Sequence, residues 1–141
     1  MKLWKRSRGL WGGLLGAASL AACTLQAGVS PAPPPTDVTG SLTVRWTIAG
    51  SDSSVQCSYY AVDSLRLVIY DDSGSQVTSI DAACEAFNVT VDLDPGTYSA
   101  DATLVDVNKK PRSLTLPINN IRITTGTDLA IATDFPARSL L

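Results

Sequence analysis

Ser41-Leu42-Thr43-Val44-Arg45-Trp46-Thr47-Ile48 alternates strictly between polar and apolar side chains. A period of two puts Leu42, Val44, Trp46 and Ile48 on one face of an extended chain and leaves the other face polar, which is the pattern of a half-buried strand. The same alternation recurs downstream. Leu65, Leu67 and Ile69 interleave with Arg66, Val68 and Tyr70, and the run ends at Asp71-Asp72-Ser73-Gly74, a turn signal. Residues 76–80 are expected to return as the second arm of that hairpin. Phe87, Val89, Val91 and Leu93 alternate with Asn88, Thr90 and Asp92. Asp94-Pro95-Gly96 then turns the chain into a strand over 98–105. A weaker pair is expected at 113–116 and 120–124, interrupted by Pro117, and a last strand at 129–135. No segment carries a helical period. Seven or so short strands at this spacing indicate an all-β domain, an antiparallel β-sandwich or a partly closed barrel.

The turn between the fourth and fifth strands gives a more specific reading. Leu93-Asp94-Pro95-Gly96-Thr97-Tyr98 resembles the L-x-P-G-x-Y turn of transthyretin-like (prealbumin-type) sandwich domains, which include carboxypeptidase regulatory domains and repeats of surface adhesins. The early Leu-x-Val-x-Trp strand and the closing Asp134-Phe135 fit the same frame. In that frame Pro95 fixes φ at one turn position, and Gly96 supplies a positive φ at the next. Leu93 points inward, Tyr98 buries most of its ring with its hydroxyl seeking a partner, and Thr97 faces solvent. The adhesin repeats often carry a lysine–asparagine isopeptide with the lysine in the first strand. Here that strand has Arg45, and the mature lysines Lys109 and Lys110 sit together before Pro111, which argues against such a bond.

Upstream, Lys2, Lys5, Arg6 and Arg8 precede an uncharged stretch from Gly9 to Ala22 that closes on Leu20-Ala21-Ala22-Cys23. A basic start, a short apolar run and small residues before a cysteine resemble a bacterial lipoprotein signal peptide with its lipobox. That resemblance implies cleavage before Cys23, a lipid on its sulfur, and acylation, palmitate being the usual chain, on its new amine. The stretch is short of the about 20 apolar residues that a membrane-spanning helix needs. Thr24, rather than aspartate, follows the cysteine, which by the same resemblance favours the outer over the inner membrane of the cell envelope. The chain also looks like small envelope lipoproteins of myxobacteria. The expected organisation is thus a signal peptide at 1–22, a lipid-anchored linker at 23–39, a sandwich domain at 40–136 and a C-terminal tail at 137–141. The linker contains Ser30-Pro31-Ala32-Pro33-Pro34-Pro35, whose extended polyproline geometry would let 16 residues span about 50 Å.

Removing residues 1–22 takes four of the 11 Lys+Arg and none of the 13 Asp+Glu, leaving 7 against 13, a formal charge of −6. Such a surface argues against nucleic acid as a partner. Partners are instead expected to be the membrane, through the lipid on Cys23, and an envelope protein or glycan. Cys57 and Cys84 remain as an even pair in an oxidising compartment, and a disulfide is the simplest use of them. No C-x-x-C and no adjacent cation marks either as redox-active.

The chain has no histidine. Serine–histidine triads, cysteine–histidine dyads and histidine-based metal sites are therefore excluded. No cofactor is expected, and an enzyme is not. Three patches are candidates for binding. Tyr59-Tyr60, beside Cys57, would point to opposite sides of an extended segment, one ring in the core and one free to stack on a sugar or a partner, or else simply packed against the disulfide. Asp71 and Asp72 with Ser73 and Gly74 offer hard oxygens of the kind Ca²⁺ takes, or simply a solvated turn. Asp92 and Asp94 form a similar acidic lip.

Overall fold

The computed structural model describes residues 28, 31–33 and 38–141. The segment expected to be a signal peptide, Cys23 and most of the expected linker lie outside the described residues. The chain divides into two units, 1–34 and 35–141, and every regular element among the described residues belongs to the second.

Among the described residues, seven strands make two sheets. They are β1 (Gly40–Ile48), β2 (Ser64–Tyr70), β3 (Gln76–Ala83), β4 (Asn88–Leu93), β5 (Gly96–Val105), β6 (Leu116–Ile123) and β7 (Asp128–Phe135). One sheet has the order β4-β1-β7 and the other β3-β2-β5-β6. The all-β sandwich expected from the alternation is what forms. Leu42, Val44, Trp46 and Ile48 of β1 and Leu65, Leu67 and Ile69 of β2 are all buried in one core, together with Ala100, Ala102, Leu104 and Phe135. These are the inward positions that the period of two picks out.

Four features depart from the sequence reading. First, β1 pairs β4 antiparallel but β7 in parallel, from Ser41↔Asp128 to Ile48↔Phe135. Alternation identifies the buried face of a strand and carries no information about which neighbour lies beside it or in which direction. Second, in place of the expected pair at 113–116 and 120–124 there is one strand, β6, that starts at Leu116 and runs through Pro117 to Ile123, while 113–115 lie before it. β6 is an edge strand, where a missing N–H removes no ladder bond. Asn120 sits at φ 58° and absorbs a register shift opposite Tyr98–Ala100. Third, residues 54–59 are a short helix, α1 (Ser54–Tyr59), and Cys84–Ala86 and Ala137–Ser139 are single 3-10 turns. Fourth, the terminal residues 137–141 are sewn to the segment before β6. Leu114 N donates to Ser139 O, Leu141 N to Arg112 O, and Ser113 bridges Leu140.

The 93–98 turn carries the chain from one sheet to the other, since Leu93 pairs with Gly40 and Gly96 with Ile123. Leu93 is buried, Thr97 is exposed and Tyr98 is half-buried, donating its hydroxyl to Asp94 O at 2.8 Å. Burial and then the Asp94 charge push the Tyr98 phenol above its usual range. Gly96 does not take the positive φ expected of it. It already belongs to β5, and a sheet-to-sheet crossing of this kind needs no left-handed residue there.

This crossing also defines two poles. Strand ends at Gly40, Tyr70, Leu93, Ile123 and Asp128 gather at one pole, with the turns 71–75 and 124–127. The linker enters there, where Gly126 N donates to Thr39 O. At the other pole lie α1, the 3-10 turn Cys84–Ala86, the 106–111 loop and the C-terminal seam.

Candidate functional site

The pole opposite the linker is built around Cys57–Cys84. The two are bonded, with Cα atoms 6.0 Å apart, and are only 4% and 1% exposed. The bridge expected from their even number is therefore present, and it joins α1 to the 3-10 turn after β3. A helix of six residues is too short to persist alone in water. Here Ser53 caps it by accepting from Val55 N, and Cys57 nails its inner side to the core.

That anchoring decides where Tyr59 and Tyr60 go. With Cys57 inward, Val55 and Tyr59, four residues apart, share the outer side of the helix. They are 66% and 77% exposed. Tyr60 lies past the helix end, packs on the core, and meets the Tyr59 ring edge-on at 4.7 Å between centroids. Its carbonyl accepts from Arg112 Nε at 3.1 Å. One ring is thus partly in the core and one in solvent, as expected, but through a helix end rather than an extended segment. The outcome is a solvent-facing tyrosine braced by a second, fixed tyrosine.

Beside the bridge is a notch of ≈ 580 Å³ whose lining includes Cys57, Cys84, Val107 and three acidic residues, Asp63, Glu85 and Asp106. Val107 is 73% exposed. The sequence reading singled out none of these side chains apart from the cysteines. No local pattern marks them, because they converge from three connections. The 106–110 loop is shaped by Asp106, whose Oδ1 accepts from Asn108 N and Lys110 N and allows Lys109 a φ of 63°. Lys109 Nζ then reaches Asp63 at 3.6 Å, Asp81 at 3.3 Å and Ser64 Oγ at 3.2 Å. Arg66 grips Asp81 with two bonds, of 3.0 and 3.3 Å. The Arg66 guanidinium, helped by Lys109, holds the Asp81 carboxyl below the usual carboxylate range.

The acidic candidates lie at the linker pole. Asp71 Oδ1 accepts from Ser73 Oγ, Ser73 N and Ser75 N, at 2.6, 3.0 and 2.9 Å. These bonds, the Ser73 hydroxyl first, lower its pKa. The carboxylate shapes the β2–β3 turn, and Asp72 is exposed beside it. Both line a shallow groove of ≈ 340 Å³ with Tyr98 and Asn120. Asp92 lines a groove with Ser41 and Asp128. Among the described residues, no three carboxylate, cysteine or histidine side chains converge as a metal site.

No protein-family model matches this chain, and no curated protein matches it.

Proposed function

We propose that this chain is a non-catalytic lipoprotein of the cell envelope, anchored through a lipid on Cys23, whose disulfide-bridged β-sandwich presents the pole opposite the linker to a partner. The observation that carries the reading is the run Leu20-Ala21-Ala22-Cys23 after a basic and then uncharged start. Further observations support it. The linker joins the domain at one pole, so the face with Val55, Tyr59 and Val107 is turned away from the point of attachment. Exposed apolar side chains gathered on one end of a small domain mark contact surfaces. The lack of histidine and the formal −6 charge after Ala22 support a binding role without nucleic acid or histidine-based catalysis. Thr24 supports outer-membrane placement. The transthyretin-like likeness of the 93–98 turn belongs to this proposal as well, and implies architecture rather than a ligand.

The reading is tested by membrane retention. The native chain should float with membranes and resist a high-salt wash, which strips proteins held by charge alone. Cys23→Ser should be released from membranes, or stay with them only as an unprocessed precursor that keeps residues 1–22. Equal membrane association of the two forms, both cleaved, would remove the anchor.

A second reading, a carbohydrate-binding or adhesive module, is favoured by the braced Tyr59 ring. Pyranose rings stack on exposed aromatic faces, and a side chain already fixed by Tyr60 loses little entropy on binding. Glycan-array binding that is abolished by Tyr59→Ala and retained in Val107→Ala would select this reading. Blank arrays together with a co-purifying envelope protein would select the first.

A further inference from the structure

The topology of β1 has a mechanical consequence. β1 is the first element after the linker and the central strand of its sheet. It runs away from the linker pole, held by β4 over six residue pairs on one side and by β7 over eight on the other. Because β7 is parallel to β1, its far end, Phe135, reaches the opposite pole beside Ile48. A pull between the linker and that pole therefore draws β1 and β7 in opposite directions along their common axis. Every bond of the ladder is then strained together, and none can break before the others share the load. A pull applied to neighbouring strand ends at the same pole would open the ladder one pair at a time. An antiparallel β7 would have put its C-terminal end at the linker pole and allowed that peeling.

We propose that the domain is a tension-resistant spacer, in which force between the linker and the opposite pole is carried as shear of β1 against both of its neighbours. Such tension in the cell rests on the lipid-anchor reading, whereas the shear geometry belongs to the folded domain itself. The Cys57–Cys84 bridge adds to it, because it keeps 27 residues from paying out even after the sheets separate.

The test is single-molecule pulling on the full chain carrying Cys23→Ser, with two attachment geometries. In the first, handles are placed at the N- and C-termini. In the second, the C-terminal handle is moved to Thr125→Cys, an exposed position in the turn before β7. The first loads the β1–β7 ladder in shear; the second pulls β1 and the 124–127 turn, joined by Ser41 N to Thr127 O, apart at one pole and so opens that ladder from its Ser41↔Asp128 end. Rupture is rate-governed, so the comparison is made at one pulling speed. Termini attachment should show a small early event as the 137–141 seam releases, and then rupture at several times the force of the Thr125 geometry. The final extension should be about 83–91 Å shorter before reduction of the bridge than after it, since the bonded cysteines, 27 residues apart, still span 6.0 Å, and this identifies the event as this domain. Equal rupture forces, or a weaker termini geometry, would overturn the proposal. Neither result depends on lipid, so the anchor reading stands or falls separately on the chemistry of Cys23.

Discussion

Deleting the Cys57–Cys84 bridge is the perturbation whose size the structure sets most closely. The two cysteines are 27 residues apart, and in the chain-entropy model a loop of that length is worth about 3.6 kcal/mol. Both sulfurs are buried, so the replacement matters. In Cys57→Ala with Cys84→Ala, the entropy and a small void are lost and no polar atom is added. The expected loss is about 3–5 kcal/mol. The double serine variant buries two hydroxyls as well and should lose more, by about 1–3 kcal/mol for each one left without a partner. A domain of this size is stable by about 5–15 kcal/mol, so the alanine pair should remain folded at 25 °C with its midpoint lowered on the order of 15–25 °C. Trp46 is the only tryptophan after Ala22 and is 2% exposed, so its fluorescence reports core opening directly in a urea titration. The m-value should rise, since the unbridged unfolded chain expands further. A loss under about 1 kcal/mol in the alanine pair, with m unchanged, would refute the view that this bridge limits the unfolded chain.

Other outcomes follow from individual contacts. Gly40→Ala should cost more than about 2 kcal/mol in the same titration, because a Cβ there meets Thr124 O, Thr127 O and Ile123 Cγ2 where β1 crosses the 124–127 turn. Gly96→Ala should cost under about 1 kcal/mol, as the atoms nearest its Cβ belong to the Tyr98 side chain at ordinary contact distances of 3.4–3.6 Å and its φ is not left-handed. Tyr98→Phe, which deletes the bond to Asp94 O, should cost about 0.5–1.5 kcal/mol, and Thr97→Val close to nothing. Asp71 and Asp81 both have lowered pKa values in the folded state. Their contribution is therefore complete above the unfolded aspartate value of about 3.9 and is lost as pH falls below it. Acid titration of Asp81→Asn, monitored by Trp46 fluorescence, should show a shallower loss of stability below that pH than the native chain.

What the sequence could and could not reveal divides along physical lines. Strands with one wet face announce themselves, and the buried faces of β1, β2 and β4 were legible from alternation alone. β6 was not, because Pro117 and the left-handed Asn120 interrupt its period, and an edge strand tolerates both. α1 was invisible because its stability is not local. Ser54–Tyr59 has a single inward side chain, Cys57, and depends on a disulfide partner 27 residues away. Pairing direction was likewise beyond reach, since Leu129 and Ile131 face inward whichever way β7 runs. Of the candidate site, Tyr59 and the two cysteines could be read in advance. Val55 depended on the unseen helix, and the acidic notch residues Asp63, Glu85 and Asp106 are brought together by three separate connections. Asp71 was rightly placed in a turn, but only the structure shows its carboxylate engaged by Ser73 and Ser75.

The proposed anchoring turns on the chemistry at one atom, the sulfur of Cys23. Intact-mass and N-terminal peptide analysis of the mature protein from its native membrane tests it most directly. The account predicts a chain beginning at Cys23, carrying a diacylglyceryl thioether and an acylated amine, with nothing upstream. A mature chain starting at any other residue, or at Cys23 with an unmodified thiol, would contradict it.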